Sequence, residues 1–299
     1  MTDSVFDPED GITDPEWLAL VSEASDEGQR FFTENQLYLA HARNKVQVSR
    51  YIARRGVLGL AMIAVGLGVW VYALKVDWGI TLVVGIAITL GGVACVGTGV
   101  VTRRDPAARE PVSRWLDKWQ TQHELQKFLA KPTLTQAGLE YLTDAVVALV
   151  IVQRDALVDL LLKNDAQREL SVLIVAESGY PEALAAEARR LLGERLDLKV
   201  IVLHDATVAG VGMHARLQKN STFPLGNREL LDIGLFPADV TWLAELAPAI
   251  PSEHTNQVPL DSLSFDALLS GLRGVLAGAL SLHAAIDGAL HHHDGRSTS

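Results

Sequence analysis

The sequence predicts an α/β fold, a mostly parallel sheet with flanking helices, preceded by an α-helical transmembrane hairpin. Three observations carry this expectation. Between residues 145 and 204, three nearly continuous apolar runs alternate with helix-forming stretches, the pattern of parallel strands covered on both faces. Residues 56–74 and 79–101 form two longer apolar runs free of charged side chains, separated only by Lys75, Val76, Asp77 and Trp78. A hydrocarbon core about 30 Å thick needs roughly 20 apolar residues as helix, and each run meets that length.

The net charge of −10 is concentrated at one end of the 299-residue chain. Residues 1–36 hold ten acids against Arg30 alone. With their Ser and Pro and few large apolar residues, they read as a largely disordered tail containing a short helix from Pro15 to Ser22. Residues 37–55 carry Arg43, Lys45, Arg50, Arg54 and Arg55 and no acid, and read as a basic juxtamembrane helix. Arg103, Arg104 and Arg109 follow the second apolar run. Basic residues near spans are retained on the cytoplasmic side. The expected location is therefore the inner membrane, with two spans in 56–101, both termini cytoplasmic, and the bilayer as a partner.

Ala87, Gly91, Cys95 and Gly99 recur every four residues on the second run, where small side chains let helices approach closely. They are the expected helix-packing face and offer a route to a homo-oligomer. Cys95 is the single cysteine, so a disulfide framework within the chain is excluded.

Residues 102–131 form an amphipathic linker, with a helix predicted from Val112 to Ala130. Its Trp115 and Trp119 suit either a bilayer interface or the packing of the domain that follows. That domain spans 132–250. Strands are predicted at 145–152, 170–176 and 199–204, and helices at 154–163, 181–195 and 208–219. Open sheets of this kind bind ligands beyond the carboxyl ends of their strands, here near Gln153–Arg154, Glu177–Gly179 and Asp205–Thr207. A Pro-containing connector leads to a C-terminal helical element within 251–290, with its helix predicted over 264–290, and to a disordered tail at 291–299.

At those strand ends the stretches LVIVQRDALVDLLL, SVLIVAESGYPEALAAEARRLL, KVIVLHDATVAGVGMHARLQKN and DIGLFPADVTWL follow one another. They resemble the Toprim domain of the topoisomerase VI A subunit and the related meiotic double-strand-break family. That family shows a strand ending Val-Glu-Lys, one ending Gly-Lys-Gly-Tyr-Pro-Asp, one ending Asp-x-Asp-Pro-x-Gly, and a later Leu-Gly-x-x-Pro-x-Asp segment. The resemblance covers roughly residues 134–247 and implies a Toprim-like (Rossmann-like) sheet. It also implies a Mg²⁺ site for phosphodiester cleavage, made of a Glu and an Asp-x-Asp pair.

The chain departs from that pattern where the chemistry resides. Gln153 stands in place of the family's Glu and Arg154 in place of its Lys. Asp205 matches the first Asp, and Thr207 replaces the second. Hard cations require oxygen ligands, preferably charged, so the loss of two carboxylates predicts a degenerate site. Asp205 with Glu177 is the one rescue available to Mg²⁺. The winged-helix domain that carries the family's nucleophilic Tyr has no counterpart ahead of the sheet, so no catalytic residue and no cofactor are expected.

Acids outnumber bases between 134 and 247, so the nonspecific attraction expected of a nucleic-acid binder is weak. His204 and His214 read as a strand-end and a helix-surface residue. His291, His292 and His293 lie in the tail. The expected function is a membrane-anchored pseudoenzyme whose cytosolic domain binds a ligand or protein partner. The alternatives are a metal-dependent phosphoryl-transfer enzyme using Asp205 and Glu177, and a two-span effector of a bacterial stress or immune system.

Overall fold

The computed structural model describes residues 4–45, 110–134, 145–219, 222–241 and 254–279, with scattered positions elsewhere. The chain forms two compact units, residues 1–41 with 109–299, and residues 42–108. In the second unit residues 61–65 are helical. Most of 56–101 lies outside the described residues, as do Ala87, Gly91, Cys95 and Gly99.

Among the described residues no helix is long and apolar enough to cross a membrane. This overturns the expected location, a two-span protein of the inner membrane with both termini cytoplasmic. The longest complete helix described is Glu182–Glu194, with 13 residues. At 1.5 Å per residue it reaches about 20 Å, short of the hydrocarbon thickness of a bilayer.

The first unit opens with a 3-10 turn, Pro8–Asp10, and helix α1, Asp14–Ala24. Thr13 and Glu16 close a capping box at the start of α1: Glu16 Oε2 accepts from the Thr13 N–H at 2.8 Å, and Thr13 Oγ1 accepts from the Glu16 N–H at 3.5 Å. Helix α2 covers residues 34–45 and α3 covers Glu110–Gln120.

A disordered acidic tail is not what these residues form. Phe6, Trp17, Leu20 and Phe32 join Trp115, Leu116 and Trp119 in one buried cluster. Phe6 stacks on Trp119 and meets Trp17 edge-on, each at 5.9 Å between centroids. A fully buried side chain of this size contributes about 1.5–3 kcal/mol, so a few anchors outweigh a polar composition. The acids remain outside or find partners. Lys118 Nζ lies 2.7 Å from Asp7 and 2.6 Å from Asp10, and its ammonium holds the Asp10 carboxyl below the usual range. Trp115 Nε1 donates to the Asp10 carbonyl at 2.9 Å. The two Trp therefore pack within their own unit.

Helix α3 ends well before the predicted Ala130. The chain turns, and Phe32 and Phe128 then form a parallel bridge: the Phe32 N–H donates to the Lys127 carbonyl at 3.1 Å, and the Leu129 N–H to the Phe32 carbonyl at 2.9 Å.

The α/β part follows as β1 (Ala148–Val152), α4 (Asp155–Lys163), α5 (Ala166–Leu170), β2 (Val172–Ala176), α6 (Glu182–Glu194), β3 (Lys199–Leu203), β4 (Ala206–Thr207), α7 (Val208–Val211), α8 (Met213–Lys219), β5 (Leu230–Asp232), α9 (Pro237–Val240), β6 (Gln257–Val258), a 3-10 turn (Leu260–Ser262) and α10 (Phe265–Leu276). Four strands make a parallel sheet in the order β2-β1-β3-β5, and β4 pairs antiparallel with β6. The mostly parallel α/β architecture is therefore as predicted. Every residue of β1 and β2 is buried, which is why these strands read as unbroken apolar runs. The predicted helix at 208–219 is divided between α7 and α8, and α10 stops at Leu276 rather than near 290.

Polar side chains complete the backbone pairing where the sheet ends. At the β2 edge, Gln167 Oε1 accepts from the Ile174 N–H at 2.7 Å, and the Tyr180 carbonyl accepts from the Ala176 N–H at 2.8 Å. Asn164 ties the N-terminal segment to the sheet. Its Oδ1 accepts from the Phe31 N–H at 2.8 Å, and its Nδ2 donates to the Phe31 carbonyl at 2.9 Å.

Candidate functional site

The strand register sets the site. Val152 is level with Ala176 on one side and with Leu203 on the other, so Gln153, Glu177 and His204 leave the sheet along one edge. This is the crevice side of an open parallel sheet. Four of the five predicted positions come together there, and one does not.

Arg154 and Asp205 are directly bonded. Arg154 Nε donates to Asp205 Oδ2 at 2.6 Å, and Nη2 reaches Asp205 Oδ1 at 3.3 Å. The same Nη2 also donates to Asp261 Oδ1. Asp205 and Asp261 side chains are 5% and 1% exposed against 30% for Arg154, so two buried carboxylates share one cation that reaches the surface. Burial works against the guanidinium charge, but Asp261 and Asp205 outweigh it and push the Arg154 pKa up.

Neutral donors also reach both carboxylates. Asn35 Nδ2 lies 3.1 Å from each Asp261 oxygen, and the Leu260 N–H donates to Asp205 Oδ1 at 2.7 Å. Gln153 acts on the backbone, its Oε1 accepting from the Asp205 N–H at 2.9 Å.

Thr207 has the role of a helix cap. Its Oγ1 accepts from the Gly210 N–H at 2.9 Å and starts α7. Gly210 is required by close approach: a Cβ there would stand 2.1 Å from the Asp205 carbonyl oxygen and 2.8 Å from Gln153 Oε1.

Glu177 is bonded to a different arginine from Asp205. Arg216 on α8 takes it in a two-point contact, Nε to Oε1 at 2.9 Å and Nη2 to Oε2 at 2.8 Å, and Arg216 Nη1 donates to the Ala209 carbonyl at 2.6 Å. Glu177 and Asp205 thus each have an arginine as counter-ion. Among the described residues no group of three or more His, Cys, Asp or Glu is placed to hold a metal ion.

The residues that pattern reading misses are Asp261, Asn35, Arg216 and Asp232. Asp261 and Asn35 come from segments remote in sequence and belong to no spaced motif. Asp232 ends β5, a strand too short to show an apolar pattern, and lies 3.1 Å from the buried His204. Comparison with protein-family models, with curated proteins and with solved structures gives no match for this chain.

Proposed function

We propose that this chain is a non-catalytic binding protein, built on a Toprim-like sheet resembling that of the topoisomerase VI A subunit, in which an arginine takes the place of a divalent cation. One observation carries the reading: Arg154 joins Asp205 and Asp261 beyond the ends of β1 and β3. A guanidinium in that place neutralises carboxylate charge as a cation would. It cannot exchange water or take a phosphate oxygen into an inner coordination shell, which metal-assisted phosphoryl transfer requires. Gly210 supports the same reading, because it falls at the glycine of the family's Asp-x-Asp-Pro-x-Gly segment.

The role left to such a domain is recognition of a ligand or protein partner. An enzyme built on Asp205 and Glu177 would need both carboxylates facing one ion, and Arg154 and Arg216 hold them in separate pairs.

The test uses the full-length chain, titrated with MgCl₂ or MnCl₂ while thermal unfolding is followed, and incubated with supercoiled plasmid under the same conditions. An unchanged unfolding midpoint and intact plasmid are expected, since an ion that does not bind the native state cannot stabilise it. A metal-linked rise in Tm that Asp205→Asn abolishes, together with plasmid scission, overturns the reading.

A further inference from the structure

We propose that His204 and Asp232 form a pH-sensitive latch that holds the turn after β5 to the end of β3 and releases it as the solution becomes alkaline. His204 has no exposed surface. Its Nδ1 lies 2.8 Å from the Asp205 carbonyl oxygen, and its Nε2 lies 3.1 Å from Asp232 Oδ1, at ion-pair distance without hydrogen-bond alignment. Both facing atoms are acceptors. A neutral imidazole has one N–H and one lone pair, so with Nδ1–H donating to the Asp205 carbonyl, Nε2 is left unprotonated beside the Asp232 carboxylate. The imidazolium alone sets a positive charge against that carboxylate.

The ring has no room to turn away. A Cβ at Gly234 would stand 2.2 Å from His204 Cδ2, so the 234 backbone lies directly against the ring, and Phe236 closes another side edge-on at 5.0 Å between centroids. The Leu235 N–H donates to the His204 carbonyl at 2.8 Å. The latch therefore fastens one short turn, and the sheet pairing of β3 with β5 stands beside it.

The charged and titratable groups around the ring come from each neighbouring element. Asp232 faces it from β5, and Asp205 adjoins it in the chain, paired with Arg154 from the start of α4. His214 approaches from α8, with Nδ1 3.7 Å from Asp232 Oδ2 and Nε2 2.9 Å from Gln218 Nε2. Burial opposes a charge on His204, but Asp232 and the Asp205 carbonyl outweigh it and raise the His204 pKa above its ordinary value. The contribution to stability is then fully present below about pH 6.5, the ordinary histidine value, and is lost as pH rises through the raised native value.

The test follows the full-length chain, histidine-labelled with ¹³C for NMR, and its thermal unfolding from below the ordinary histidine value of about 6.5 into alkaline solution. His204 is expected to titrate above ordinary histidine, and Tm to fall across the same interval. Asp232→Asn presents an amide that can donate to the neutral ring, so it should return the His204 titration toward the ordinary value and flatten the loss of Tm. His214→Gln should leave the profile in place. Titration of His204 at or below the ordinary value overturns the proposal, as does a Tm profile that Asp232→Asn leaves unchanged. Should Asp232→Asn not fold, the His204 titration in the unaltered chain decides alone.

Discussion

At the scale of single residues the decisive feature is one cation shared by two buried acids. Removing Arg154 as Arg154→Met leaves Asp205 and Asp261 without a counter-ion, and breaking a buried pair in this way costs about 3–5 kcal/mol. Urea unfolding should show the loss as a lowered midpoint at unchanged slope. The converse exchange of all three charged side chains for apolar ones of similar volume is not expected to cost as much, since the desolvation of the ions disappears with them. Gln153, Arg154, Asp205 and Thr207 were legible in sequence because they stand at the ends of recognisable apolar runs. Their roles were not. A carboxylate reads the same whether its counter-ion is a metal or an arginine, and the second acid, Asp261, lies far along the chain from Asp205.

At the scale of elements, the core strands β1, β2 and β3 were legible because burial on both faces forces continuous apolar runs. β5 was not, because three residues are too few to show a pattern, and β4 and β6 are shorter still. Pinning of the segment before β1 depends on a polar cluster on α4. Asp159 is fully buried. Its Oδ1 accepts from the Tyr180 hydroxyl at 2.7 Å, its Oδ2 accepts from the Thr133 N–H at 2.8 Å, and the Tyr180 oxygen accepts from the Leu134 N–H at 2.6 Å. Burial, with the neighbouring Asp159 carboxylate, pushes the Tyr180 pKa well up and keeps the hydroxyl a donor at neutral pH. Tyr180→Phe should cost about 1–3 kcal/mol, the price of leaving buried polar groups unpaired. Hydrogen exchange at the Leu134 amide should accelerate, and an unchanged rate there would count against the cluster as the anchor.

At the scale of the whole chain, composition misled where position decided. The first 36 residues read as disordered because acids dominate them, yet Phe6, Trp17 and Leu20 meet Trp115 and Trp119 in one core. An average over composition cannot register that the partner surface lies a hundred residues onward. Trp17→Ala should therefore behave as a core deletion, costing about 3–5 kcal/mol, whereas removal of a solvated tail would leave the urea midpoint unchanged. The bonds of Asn164 to Phe31 and of Asn35 to Asp261 join these residues to the sheet, so circular dichroism and tryptophan fluorescence should report the loss at the same denaturant concentration. The amide of Gln167 at the margin of β2 has a consequence for assembly. An open strand margin invites a neighbouring molecule to add its own strand, the first step toward fibrous aggregates. With the Ile174 and Ala176 N–H groups already bonded inside the molecule, two of the donors on which an added strand would pair are withdrawn from that side of the sheet.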